Sequence, residues 1–140
     1  MVKIISDSTC DLSPELIARY DIDIIPLHII LGEDDYLDGR ISPADIYRWS
    51  DENNMSPKTA AVSMEDALAA FKPCKGQEVI IFTISSSMSS TYNVLRMAAE
   101  QTDAERIHVI DSKNLSTGVG LQVIAAAEMA QQGLSAAEIV

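Results

Sequence analysis

Cysteine is scarce in this chain: Cys10 and Cys74 are the only two among 140 residues, and neither belongs to a C-x-x-C pair or stands near paired histidines. That excludes a disulfide framework and a zinc centre, and it fits thiols kept reduced in the cytoplasm. Positive charge is also short, with 10 Lys and Arg against 21 Asp and Glu and a net charge of −11. Such a balance repels phosphate backbones and anionic lipid surfaces, so nucleic acid is not expected as a partner. No apolar run is long enough for a membrane span. The nearest approach, residues 119–130, is short and broken by Gln122 and Glu128, and reads as a buried core helix. The amino terminus enters a strand directly, without the basic and apolar segments of a targeting leader.

The usual catalytic patterns are missing too. There is no G-x-x-x-x-G-K-[ST] or G-x-G-x-x-G to cradle a nucleotide, and no G-x-S-x-G elbow. His28 and His108 both fall inside apolar strands and read as structural. An aspartyl phosphoryl-transfer site would need D-x-D after the first strand, but Thr9 stands where the second Asp should be. Asp7 and Asp111 end strands, where a carboxylate commonly caps neighbouring N–H groups. No catalytic residue, metal ligand set or cofactor is therefore assigned.

What the chain does have is a strand that runs into hydroxyls. Val79, Ile80, Ile81, Phe82, Thr83 and Ile84 lead into residues 85–91, where five serines and a threonine occupy seven positions. Tyr92, Leu95, Arg96 and Ala99 follow at helical spacing. A buried parallel strand entering a helix through such a loop has the layout of an anion site. Free N–H groups, the helix dipole and the hydroxyls would hold a carboxylate or phosphate without any basic side chain. The hydroxyls of Thr59, Ser85, Ser86, Ser89 and Thr91, set in a chain rich in Ile, Val, Leu and Met, suit a ligand with an acidic head and an apolar body.

The same period reading gives strands at 2–6, 22–31, 79–84 and 107–110, with a short one at 36–38 and Pro26 marking an edge or bend. Helices are expected to open at Ser13-Pro14, Ser42-Pro43 and Ser63, and another to run over 118–132 until Gly133. Residues 57–62 show no regular period and read as a loop. Strands alternating with helices predict an α/β fold, a parallel-sheet sandwich with helices on both faces and functional loops at the carboxyl ends of the strands. The loops 7–11, 58–63 and 85–91 are expected on one rim. Ser135 and Glu138 form a capping box two residues from the end, so residues 1–140 are expected to be one domain of a longer protein.

Five stretches together are specific: Ser6-Asp7-Ser8-Thr9-Cys10-Asp11-Leu12, Pro26-Leu27, Pro57-Lys58-Thr59, Ile84 through Tyr92, and Val109-Ile110-Asp111-Ser112. Through them the whole chain resembles the amino-terminal domain of the DegV family, the fatty-acid-binding subunits of bacterial fatty acid kinase. The resemblance implies a two-domain α/β fold with one long-chain fatty acid in a tunnel between the domains. It implies that the carboxylate is held by Thr59 and by Ser86 of the Ser85-Ser86 pair, with Ser89 the next position to consider. A His of the absent carboxyl-terminal domain would also touch it. It further implies a lipid-binding subunit that is not an enzyme and that presents its ligand to a separate ATP-dependent kinase. Ala60-Ala61-Val62 stands where the family commonly has Ser-Gln-Pro, and Ser90 replaces the Gly of the usual S-G-T turn, so the head-group geometry is expected to differ. The competing reading is an enzyme acting on a phosphorylated metabolite at the Ser-rich loop, with Asp7 or Asp111 as general base.

Overall fold

A computed structural model describes residues Met1–Val140. The chain begins with β1 (Lys3–Asp7), a 3₁₀ turn over Ser8–Cys10, α1 (Pro14–Tyr20) and β2 (Asp23–Ile25). Next come β3 (His28–Leu31), β4 (Asp34–Leu37), α2 (Pro43–Asn53), β5 (Lys58–Ala60) and α3 (Met64–Phe71). The remainder is β6 (Val79–Thr83), α4 (Thr91–Thr102), β7 (Ile107–Asp111), α5 (Thr117–Gln131) and α6 (Ala136–Ile139). Helix starts follow the local chemistry. The hydroxyls of Ser13, Ser42 and Ser63 accept the N–H three residues on, and Pro14 and Pro43 supply a preset φ in the first turn.

β1, β2, β6 and β7 form a parallel sheet in the order β2-β1-β6-β7. Successive side chains of a strand face opposite ways, so each strand feeds two cores. Ile5, Val79, Ile81 and Ile107 pack with Phe71, Leu95, Ala98 and Ala99 of α3 and α4. On the other face Ile4, Ile80 and Phe82 pack with Val119, Val123, Ala126 and Ala130 of α5. Burying each large side chain contributes roughly 1.5–3 kcal/mol, which is why β6 has no exposed residue. The α/β class, with helices on both faces of a parallel sheet, is as the sequence predicts. α5 is the core helix expected from residues 119–130, and no helix is long and apolar enough to cross a membrane.

Two expectations are corrected. Residues 22–31 are not one strand. Pro26 has no N–H to give a ladder, and the chain turns there: β2 stays in the parallel sheet while β3 joins a second sheet. That sheet is antiparallel, in the order β4-β3-β5, and its last strand is formed by residues expected to be a loop. Lys58, Thr59 and Ala60 pair with Ile30, Ile29 and His28. All three are exposed, so there was no alternation to betray the strand.

Candidate functional site

In the parallel sheet, β2 lies on one side of β1 and β6 on the other, so the chain reverses its direction of winding between β1 and β6. The carboxyl ends of strands at such a switch point are where open α/β sheets bind ligands. Here the crevice is filled by Asp7. This fully buried carboxylate accepts the Ile84 N–H at 2.7 Å across the switch point, and the Thr9 N–H and hydroxyl at 3.1 and 2.6 Å. Burial pushes its carboxyl above the usual range, against the lowering effect of those donors. Asp7 thus ties β1 to β6 and caps the 3₁₀ turn, the structural role its position suggested.

The open part of the rim lies over β6 and β7. Ser85 donates its N–H to the Asn114 carbonyl at 2.9 Å, and Ser86 donates its N–H to Asp111 Oδ1 at 3.0 Å. The loop 85–91 is built by its own hydroxyls: Ser85 Oγ pairs with Ser87 Oγ at 2.8 Å, and Ser89 Oγ with Thr91 Oγ1 at 2.9 Å. Ser87 and Thr91 direct their N–H groups to Ser85 Oγ and Ser89 Oγ, while Met88 and Ser89 direct theirs to the Ser85 carbonyl. The amides of 85–89 and 91 are tied up within the protein, while those of Ser90, Tyr92 and Asn93 at the mouth of α4 have no partner in it, so the free N–H groups lie at the helix start and not along the loop.

One side chain bonded to the loop is basic, in addition to the hydroxyls the sequence points to. Lys113 Nζ lies 3.3 Å from Ser86 Oγ and 2.6 Å from Asp111 Oδ2. Asp111 Oδ1 also accepts the Lys113 N–H at 3.1 Å. Burial opposes ionisation of Asp111, but Lys113 and Ser86 outweigh it and hold the carboxyl well below the usual carboxylate range. Asp111 is thus a cap, as its strand-end position suggested. Lys113 is not among the residues the sequence points to, although Asp111-Ser112-Lys113 closes an apolar strand.

Ser85, Ser86 and Ser89 are brought together on one loop, with Ser85 buried and Ser86 and Ser89 half-buried. Thr59 lies apart from them on β5 and shares no hydrogen bond with the loop. Its sheet stands over the same end of the molecule, because Leu27, just ahead of β3, donates its N–H to Ser8 Oγ at 3.1 Å. Five cavities of about 210–500 Å³ are lined by other residues than Thr59, Ser85, Ser86 and Ser89. The one of about 500 Å³, lined in part by Val2, Glu78 and Ala130, lies at the amino ends of β1 and β6, away from these hydroxyls. The hydroxyls occupy an open rim.

Comparison with known proteins gives a consistent result. The family model described as an uncharacterised protein of the DegV family matches residues 1–140. A DegV domain-containing protein of Clostridium perfringens is 38% identical over 137 residues, covering 96% of this chain and 49% of that protein. One from Clostridium acetobutylicum is 33% identical, with 99% and 50% covered. The chain spans about half the length of these curated relatives. Among solved structures, a DegV family protein from Thermus thermophilus described for its fatty acid binding superposes with a TM-score of 0.90 at 28% identity, covering 99% of this chain and 50% of its own. A stearic acid-binding protein from Eubacterium ventriosum gives 0.87 at 33% identity, with the same coverage. With its whole length matched by the family model and its fold shared with family structures, the chain belongs to the DegV family.

Proposed function

We propose that this chain is the amino-terminal, head-group-binding domain of a two-domain cytoplasmic protein. That protein carries a long-chain fatty acid and presents its carboxyl group to a separate ATP-dependent kinase. The observation that carries the reading is the likeness, over 99% of the chain, to solved structures described as binding fatty acids, one of them stearic acid. The rim supports it with neutral hydroxyl donors: Ser86, with Ser85 and Ser89 beside it, and Thr59 from the antiparallel sheet. The two buried, unpaired thiols suit a reducing compartment.

In this reading the subunit does no chemistry of its own. Asp7 and Asp111 are engaged by Ile84 and Thr9, and by Lys113 and Ser86, so neither carboxylate is poised as a general base. ATP then belongs to the kinase.

The test uses the protein carrying both domains. Mass spectrometry of an organic extract should find an acyl chain; a phosphorylated metabolite instead would promote the enzyme reading. Thr59→Ala and Ser86→Ala should each weaken a fatty acid about tenfold or more while sparing the matching alcohol, because a hydrogen bond to a charged group contributes about 1.5–3 kcal/mol. Equal losses for acid and alcohol would remove the head-group role from these hydroxyls. Mixed with ATP, Mg²⁺ and fatty acid, the protein should form acyl phosphate only after the kinase is added.

A further inference from the structure

Lys113 is the only basic side chain bonded to the serine loop, and its placement is built from the backbone outward. Its φ of 54° is in the left-handed region, which a non-glycine residue adopts at a cost of roughly 1–2 kcal/mol. In that conformation its N–H and its ammonium both reach Asp111, at 3.1 and 2.6 Å. The same carboxylate receives the Ser86 N–H at 3.0 Å, so one acid fixes Lys113 and Ser86 relative to each other. The layering is vertical: the Asp111 side chain is 10% exposed and that of Lys113 is 73% exposed.

An ammonium has three donors, and two of these are directed at Asp111 Oδ2 and Ser86 Oγ. The third is unused on an exposed group. Ser86 Oγ accepts from the ammonium, and its own hydrogen can turn from the Asp111 carboxylate, which it helps to hold ionised, to a ligand oxygen. A charged donor and a neutral donor therefore adjoin on the open rim, where one ligand oxygen or two oxygens of one carboxylate would meet both. A molecule of net charge −11 offers an acid no general attraction, so a local cation adds to the acid selectivity that the hydroxyls supply through charge-assisted hydrogen bonds.

We propose that Lys113 reads the charge of the bound ligand: the carboxylate takes the third ammonium N–H together with the Ser86 hydroxyl, while Asp111 holds Lys113 in place. This rests on the fatty-acid reading and adds to its hydroxyls a cation that further separates acid from alcohol.

The test titrates tetradecanoate and tetradecanol, at low and high salt, into the two-domain protein as wild type, Lys113→Met and Lys113→Arg. At low salt Lys113→Met should bind tetradecanoate about fivefold more weakly, as expected of an exposed ion pair, and tetradecanol unchanged. Lys113→Arg should restore acid binding, and raising the salt should weaken the wild type but not Lys113→Met. Lys113→Met should keep the wild-type circular dichroism and a cooperative melt, with the melting temperature lowered only by loss of the Asp111 contact. Equal acid affinity in wild type and Lys113→Met overturns the role of Lys113 and leaves the fatty-acid reading standing. Parallel loss of acid and alcohol in a folded Lys113→Met protein also overturns it, since Lys113 would then only brace the loop. A wild type that binds neither ligand overturns both.

Discussion

Gly120 is the glycine that backbone crowds most closely. A Cβ there would stand 2.6 Å from the Cys10 carbonyl oxygen and 3.0 Å from Leu12 Cδ2. Inside a helix, Gly to Ala ordinarily gains up to about 1 kcal/mol. At this position the neighbour is backbone of the 3₁₀ turn that Asp7 caps, and it cannot step aside without disturbing the carboxyl end of β1. Gly120→Ala should therefore destabilise the chain by about 1–3 kcal/mol, the usual cost of overpacking. Gly118 has the shorter contact, 2.2 Å to Asn114 Oδ1, yet that atom ends an exposed side chain that can rotate. Gly118→Ala should be close to neutral. Urea unfolding of the two variants checks the contrast, and equal stability would mean that the approach of α5 to Cys10 is not fixed.

At the scale of elements, the antiparallel sheet is held to α3 by a histidine between two acids. His28 Nδ1 lies 2.8 Å from Asp35 Oδ1 on β4, and Nε2 lies 3.0 Å from Asp66 Oδ2 on α3. Only an imidazolium donates through both nitrogens, so the geometry selects the charged form. Asp35 first, and Asp66 with it, raise the His28 pKa above its ordinary value, against partial burial. Asp66 is itself held low, first by its contact with Ser63 and then by His28, so it remains an acceptor as His28 titrates. The folded pKa exceeds the unfolded one; the stabilisation is therefore fully present below about pH 6.5 and is lost as pH rises through the folded value. Unfolding free energies of wild type and His28→Gln should differ by about 1 kcal/mol near pH 5.5 and converge towards about pH 9. A difference that stays constant over that range would show that His28 acts by packing alone. Because β3 also carries β5, this clamp steadies the strand on which Thr59 sits.

At the scale of the whole molecule, the serines and Lys113 lie on an open rim and not in an enclosed cavity. Each methylene taken out of water contributes about 0.8 kcal/mol, so a long acyl chain draws most of its affinity from enclosure. This 140-residue chain by itself should therefore bind a fatty acid weakly, and the two-domain protein tightly. Calorimetry on the pair decides it. Tight, stoichiometric binding by the chain alone would mean that the rim closes over the ligand without a second domain.

What the sequence determined by itself is local. Apolar runs such as 79–84 specify strands because both faces must be buried. Ser13, Ser42 and Ser63 specify helix starts because a hydroxyl satisfies an amide three residues away. Alternation of the two kinds of element then implies a parallel sheet. The Ser-rich loop was legible as a cluster of hydroxyls, and Asp7 and Asp111 as caps. Tertiary structure decided whatever depends on a distant partner. Pro26 marked a bend, but only the pairing of β3 with β4 and β5 shows that the chain changes sheets there. The strand containing Thr59 exists because Ile29 offers it a ladder, and its own exposed residues carry no period that would announce it. The Asp7 bond to Ile84 spans 77 positions and the Lys113 bond to Ser86 spans 27. No local preference encodes such contacts: they arise only when the sheet sets the carboxyl ends of β1, β6 and β7 side by side.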